Sequence, residues 1–186
     1  MNTKDKYNNL VKEMYGCKSP CKQPIERMLI GRGDLSADVV FIGLAPNPNY
    51  HGIGPRVVFG PYSPTGKKVA RLVDAIKLKV KKDVSFWFTN VIKCDSEKRD
   101  FRKNAIACAK YLEKEMLLIK PKITVLFGAK VIEYLLNEPM VHGKVSLWKD
   151  KYPCVHSYHP SPLSKLNSNA IEEVVEIVAT HCLGEN

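Results

Sequence analysis

The chain has 186 residues, of which 45% are hydrophobic and 26% charged, and its formal charge is +10. That length gives one domain over residues 1–186 with ample core, no apolar run is long enough to cross a bilayer, and Met1–Lys6 lacks the apolar centre of a secretion signal. A cytoplasmic protein without a membrane partner is therefore expected. The excess positive charge lies within the folded pattern, at Lys67, Lys68, Lys77, Lys79, Lys81, Lys82, Arg99, Arg102 and Lys103, rather than in a tail. It favours a polyanionic partner, nucleic acid being the commonest, although basic enzymes and anionic-membrane binders share it.

In chain order, residues 3–15 form an amphipathic helix with Tyr7, Leu10, Val11 and Met14 on one side, stopped by Gly16. Residues 17–36 are loop-rich. Ala37–Gly43 reads as a buried strand. Leu44–Gly66 contains five prolines and four glycines and has no periodicity. A loop of that length in a compact domain is functional or disordered, and its aromatic and apolar content favours function. A helix follows over 66–80, a strand over 86–92, a long helix over 101–119 ended before Pro121, a strand over 122–128 and a helix over 129–136. The chain closes with a short strand over 151–157 and a helix over 169–181. Strands alternating with helices predict a three-layer α/β/α fold around a mainly parallel four-stranded sheet.

In such sheets ligands bind beyond the carboxyl ends of the strands. The four predicted exits are Gly43-Leu44-Ala45-Pro46-Asn47, Thr89-Asn90-Val91-Ile92-Lys93-Cys94, Phe127-Gly128-Ala129-Lys130 and His159-Pro160-Ser161-Pro162-Leu163. Each carries glycine, proline or a lone polar residue. The prolines after His159 forbid a helix and present the imidazole from a stiff turn. An imidazole suits anion stabilisation or proton transfer near neutral pH. Six cysteines in a chain expected to be intracellular argue against disulfides and for metal binding or catalysis. Cys154 and Cys182 sit in apolar surroundings and read as ordinary buried thiols.

Together these segments resemble the uracil-DNA glycosylase superfamily, over nearly the whole chain, and look closest to its iron–sulfur branch, families 4 and 5. Gly43-Leu44-Ala45-Pro46 is similar to the first motif in its family 5 form, and Phe59-Gly60 to the segment supplying a ring that stacks on uracil. Thr89–Cys94 is similar to the family 4 stretch joining a base-reading asparagine to a cluster cysteine, and His159-Pro160-Ser161 to the last motif. The resemblance implies hydrolysis of the N-glycosidic bond of uracil, and of other deaminated bases, in DNA after the nucleotide flips out. It implies Phe59 as the stacking platform and Asn90 as the reader, since a carboxamide sets a donor beside an acceptor. His159 is the expected donor to the uracil O2 as charge develops there. Gly43 and Ala45 would shape the pocket. Leu163 would fill the gap left by the extruded nucleotide, with Ser161, Ser164 and Lys165 on phosphates. A core phenylalanine, a turn-capping asparagine, a structural histidine and an exposed turn leucine are the plainer alternatives.

The departures from the family are specific. Position 45 is alanine where the best-known branch has a water-activating aspartate, position 44 is leucine where family 4 has glutamate, and no carboxylate occurs between Asp38 and Asp74. Asn47, Asn49 and His51 are left as candidate partners of the attacking water. The resemblance also implies that Cys17, Cys21, Cys94 and Cys108 ligate a [4Fe–4S] cluster. Zinc on the same four thiols, or four unrelated thiols, are the alternatives. The expected activity is that of a monofunctional glycosylase acting as a monomer, associated with the nucleoid when at work. An iron–sulfur nucleic-acid-binding protein without catalysis, motivated by the missing carboxylate, is the competing reading. A basic α/β enzyme for small phosphorylated ligands is a third, supported by fold class alone.

Overall fold

The computed structural model describes residues 1–47, 56–95, 100–161 and 165–184. The helices are α1 (Thr3–Tyr15), α2 (Pro64–Val80), α3 (Phe101–Ile119), α4 (Ala129–Leu136) and α5 (Ser168–Leu183). The strands are β1 (Arg32–Gly33), β2 (Val39–Gly43), β3 (Phe86–Asn90), β4 (Ile123–Phe127), β5 (Val145–Trp148) and β6 (Tyr152–Ser157). The helix starts follow local chemistry. Asn2, Ser63, Asp100 and Asn167 each accept a hydrogen bond from a backbone N–H in the first turn of the helix that follows, which satisfies an otherwise orphaned donor. Pro64 stands at the first turn of α2, where its missing N–H is harmless.

The sheet has six strands in the order β1-β3-β2-β4-β6-β5. The inner four are parallel, and β1 and β5 are antiparallel edges. The expected four-stranded sheet is thus the parallel centre of a mixed one. The two missed edges gave no core signal. β1 is two residues long, and β5 leaves Val145 and Leu147 exposed on its outer side.

Alternation along β2 sorts the layers. Val40 and Ile42 pack with Tyr7, Leu10 and Met14 of α1, Leu112 and Met116 of α3, and Val131 and Ile132 of α4. Val39 and Phe41 face the other way, onto Leu72 and Ile76 of α2 and Val174 and Val178 of α5. Both faces of the central strands are therefore covered, which explains their unbroken apolar reading. Among the described residues, no helix is long and apolar enough to cross a membrane.

One polar residue in this core gives the fold a pH dependence. His156 on β6 is fully buried. Its Nδ1 accepts from the Val141 N–H at 3.5 Å, and its Nε2 lies 4.0 Å from Glu138. Burial pushes its pKa below the usual 6.5, against a smaller upward pull from Glu138. The unfolded ring therefore takes a proton before the folded one. This contribution to stability is complete above pH 6.5 and is lost as pH falls through the lower folded value. Urea midpoints measured from pH 7.5 to 5 should fall on acidification, and His156→Gln should flatten that slope.

Candidate active site

Because the inner strands are parallel, their carboxyl ends open on one edge. Gly43 and Asn90 are register partners at the ends of β2 and β3, as are Phe127 and Ser157 at the ends of β4 and β6. Beyond this edge lies a cavity of about 600 Å³. It gathers seven of the expected site residues: Gly43, Ala45, Asn47, Phe59, Asn90, His159 and Ser161. Lys165 is exposed and lies outside the lining. Asn49, His51, Leu163 and Ser164 lie outside the described residues.

Asn90 is buried, and its carboxamide lies against Gly43. A Cβ built on Gly43 would stand 2.5 Å from Asn90 Oδ1 and 2.9 Å from Phe59 Cζ. Position 43 must therefore lack a side chain for the carboxamide and the ring to share this space. The Gly43–Pro46 segment thus contributes an absence of atoms beside Asn90.

Phe59 is half-buried and adopts a left-handed backbone, with φ 49°, a conformation costly for a bulky residue. Arg32 on the edge strand β1 holds it there. Its Nε donates to the Val58 carbonyl at 2.7 Å and its Nη2 to the Phe59 carbonyl at 3.0 Å, while its guanidinium lies 4.6 Å from the centre of the Phe88 ring. The Phe59 ring meets Phe127 and Phe88 edge-on at 5.5 and 6.5 Å. Arg32 was not found in the sequence, because a two-residue strand leaves no pattern. From the other side, Gly66 in the first turn of α2 admits the Phe59–Gly60 turn. A Cβ there would lie 1.9 Å from the Gly60 carbonyl oxygen.

His159 is solvent-accessible at the cavity mouth. Burial of part of the ring against the protein lowers its pKa below the ordinary imidazole value of 6.5, which favours the neutral form with one N–H donor. The loop bearing it is fixed at three points. Gly128, with φ 90°, brings its Cα close enough that a Cβ would meet His159 Cβ at 3.3 Å. The Tyr158 N–H donates to His142 Nδ1 at 3.3 Å, and the Tyr158 and His142 rings stack at 4.4 Å. Lys68 Nζ donates to the Ser161 carbonyl at 2.8 Å.

No aspartate or glutamate lines the cavity among the described residues. The nearby carboxylate of Asp95 is buried and faces two arginines: Arg56 forms a hydrogen-bonded ion pair with it, and Arg27 lies at 3.5 Å. Arg56 also donates to the Asn47 carbonyl at 2.9 Å. Asp95 thus anchors the Asn47 end of the first-motif loop through Arg56.

The N-terminal segment is stitched to the exit of β3. The Leu29 N–H donates to the Lys93 carbonyl at 2.8 Å, the Asp95 N–H donates to the Arg27 carbonyl at 3.0 Å, and Met28 and Cys94 form an antiparallel bridge. This pairing draws Cys17 and Cys21 toward Cys94 and toward Cys108 on α3. Burial raises the Cys21 thiol to about 11, with further upward contributions from Cys108, Cys94 and Cys17. Burial also raises Cys94 and Cys108. At Cys17 burial acts upward too, but hydrogen bonds from Ser19 and Tyr111 and the charge of Lys110 outweigh it and leave the thiol lowered. Four thiols from separate segments thus share one neighbourhood. Among the described residues, however, no three or more His, Cys, Asp or Glu are grouped to hold a metal ion.

The family profile described as "Uracil DNA glycosylase superfamily" matches residues 30–179. The chain belongs to the uracil-DNA glycosylase superfamily. Three proteins named Type-4 uracil-DNA glycosylase are similar to it. That of Saccharolobus solfataricus is 31% identical over an alignment covering 78% of this chain and 70% of the relative. That of Sulfurisphaera tokodaii is 28% identical, covering 95% and 86%. That of Thermotoga maritima is 21% identical, covering 94% and 92%.

The tight passage at Gly66 yields a sign that helix propensity alone would get wrong. Glycine to alanine in a helix ordinarily gains up to about 1 kcal/mol. Here the added methyl meets backbone, so Gly66→Ala should lose roughly 1–3 kcal/mol in urea unfolding.

Proposed function

We propose that the protein is a monofunctional DNA glycosylase that hydrolyses the N-glycosidic bond of uracil in DNA and leaves an abasic site. The observation that carries this reading is the meeting of Asn90, Phe59 and His159 in one cavity at the carboxyl edge of a superfamily fold. The names of the three relatives support it.

The chemistry follows from the residue types. A flipped base would slide against Phe59, where stacking is worth roughly 1–3 kcal/mol per base. The Asn90 carboxamide pairs its oxygen with the uracil N3–H and its NH₂ with O4. Cytosine offers the opposite polarity, so a fixed amide rejects it. As the C1′–N1 bond breaks, its electron pair departs with the base while positive charge builds on the sugar. The neutral His159 ring donates its N–H to O2, where the negative charge collects. Water then adds to C1′ and releases a proton. In this reading the barrier is lowered chiefly by stabilising the departing base through His159. Asn47, at the loop held by Arg56, is our candidate for orienting the water, together with His51.

Cys17, Cys21, Cys94 and Cys108 are the donor set we assign to a [4Fe–4S] cluster, since four thiolates from one neighbourhood are what such a cluster takes. Its part would be to pin the N-terminal segment and the β3 exit as one surface, with no step of the reaction passing through it. Ser161, Leu163, Ser164 and Lys165 are assigned to the DNA, and the protein is expected to act as a cytoplasmic monomer on the nucleoid. Hypoxanthine and xanthine belong in the substrate test because the cavity is much larger than a pyrimidine.

His159→Ala should lower single-turnover release of uracil by roughly 100-fold, the usual cost of one donor to a developing anion. Asn90→Ala should lower it at least about 10-fold. In both, anisotropy should show oligonucleotide binding largely kept, and binding lost in step with cleavage would refute these roles. A wild-type protein that binds DNA but releases no base at any pH would favour the non-catalytic reading. An anaerobic preparation should show a brown chromophore near ~400 nm, and a colourless sample carrying zinc would overturn the cluster.

A further inference from the structure

Beneath the reading asparagine lies a buried ion pair to which the proposed chemistry assigns no task. Lys93 is 1% exposed and Glu115 is fully buried. Lys93 Nζ lies 2.6 Å from Glu115 Oε2, 2.6 Å from Thr89 Oγ1 and 2.9 Å from the Asn90 carbonyl oxygen, and Thr89 Oγ1 donates to Glu115 Oε2 at 2.8 Å. The lysine stem thus curls back over the end of its own strand, so that the ammonium bonds to the two residues before the pocket. Glu115 reaches in from α3 to neutralise it.

Stability does not explain this arrangement. Removing two charges from water is costly, and an apolar pair of similar volume is often as stable or more so. Among the described residues Glu115 Oε1 moreover has no hydrogen-bond partner, a further cost. What the network does achieve is directional. It fixes the Thr89 side chain and the Asn90 carbonyl at once, on either side of the peptide that sets where the Asn90 Cα–Cβ bond points. Gly43 blocks displacement on the opposite side only by proximity, with Asn90 Oδ1 2.5 Å from where a Cβ would stand. A misplacement near 1 Å at a reacting site can cost on the order of 100-fold in rate.

We propose that Lys93, Glu115 and Thr89 form a positioning network that aims the Asn90 carboxamide, and that discrimination of uracil from cytosine depends on it. This rests on the base-reading role proposed for Asn90. Lys93 and Glu115 are positioning residues, since neither lines the cavity.

The test is the triple variant Thr89→Val, Lys93→Met, Glu115→Leu, which removes the whole network and leaves no lone buried charge. It should melt cooperatively within about 5 °C of wild type and keep the same visible absorption. It should bind uracil-containing duplex within about 3-fold, yet release uracil at least about 10-fold more slowly in single turnover. The ratio of uracil to cytosine release should fall with it. Glu115→Gln, which leaves the buried Lys93 ammonium without its counter-charge, should melt well below the triple variant. A triple variant with wild-type rate and selectivity overturns the positioning role alone. So does one that no longer folds, by making the network a requirement of the fold. An inactive wild type overturns the proposed function itself.

Discussion

The site depends on one rung of the sheet. Gly43 and Asn90 face each other at the last register position of β2 and β3, and the missing side chain on one makes room for the carboxamide of the other. Parallel pairing extends this rung past the strand ends, since the Val91 and Ile92 N–H groups donate to the Gly43 and Leu44 carbonyls at 2.8 Å. The loop after Gly43 and the strand end at Asn90 therefore form one backbone unit. A slip of one residue would turn Asn90 to the opposite face of the sheet.

Three separate devices then bring the remaining groups to that rung. Arg32 holds the strained Phe59 turn through two carbonyls. His142 and Lys68 fix the loop on either side of His159. Asp95, through Arg56, holds the loop at Asn47. In each case a charged or aromatic side chain from a distant segment bonds to backbone. Such contacts set position without adding another charge to the space a base would enter.

Much of this was legible in the chain. The four inner strands read as apolar runs because helices cover both faces, and the ends of α1 and α3 followed from Gly16 and Pro121, whereas α2 starts two residues before its expected Gly66, behind the Ser63 cap. Residues from three of the four expected strand exits line one cavity, because parallel strands present their ends together; the Phe127–Lys130 exit does not line it. Other parts left no sequence signal. β5 is four residues long and exposes Val145 and Leu147 while burying only Trp148 fully, and β1 is too short for any periodicity. Arg32, His142, Asp95 and Glu115 act through contacts 16 or more residues away in sequence, or, for Glu115 and Thr89, 26 residues away.

The sequence by itself determined the layered α/β/α order, through local periodicity, and the resemblance to the family, through short motifs at the strand ends; both are written residue by residue. Only the tertiary structure decided that Gly43 serves by leaving space, that Arg32 clamps the Phe59 turn and that a buried ion pair underlies Asn90. Each of these is a distance between segments far apart in the chain, and distances of that kind exist only once the strands have found their register.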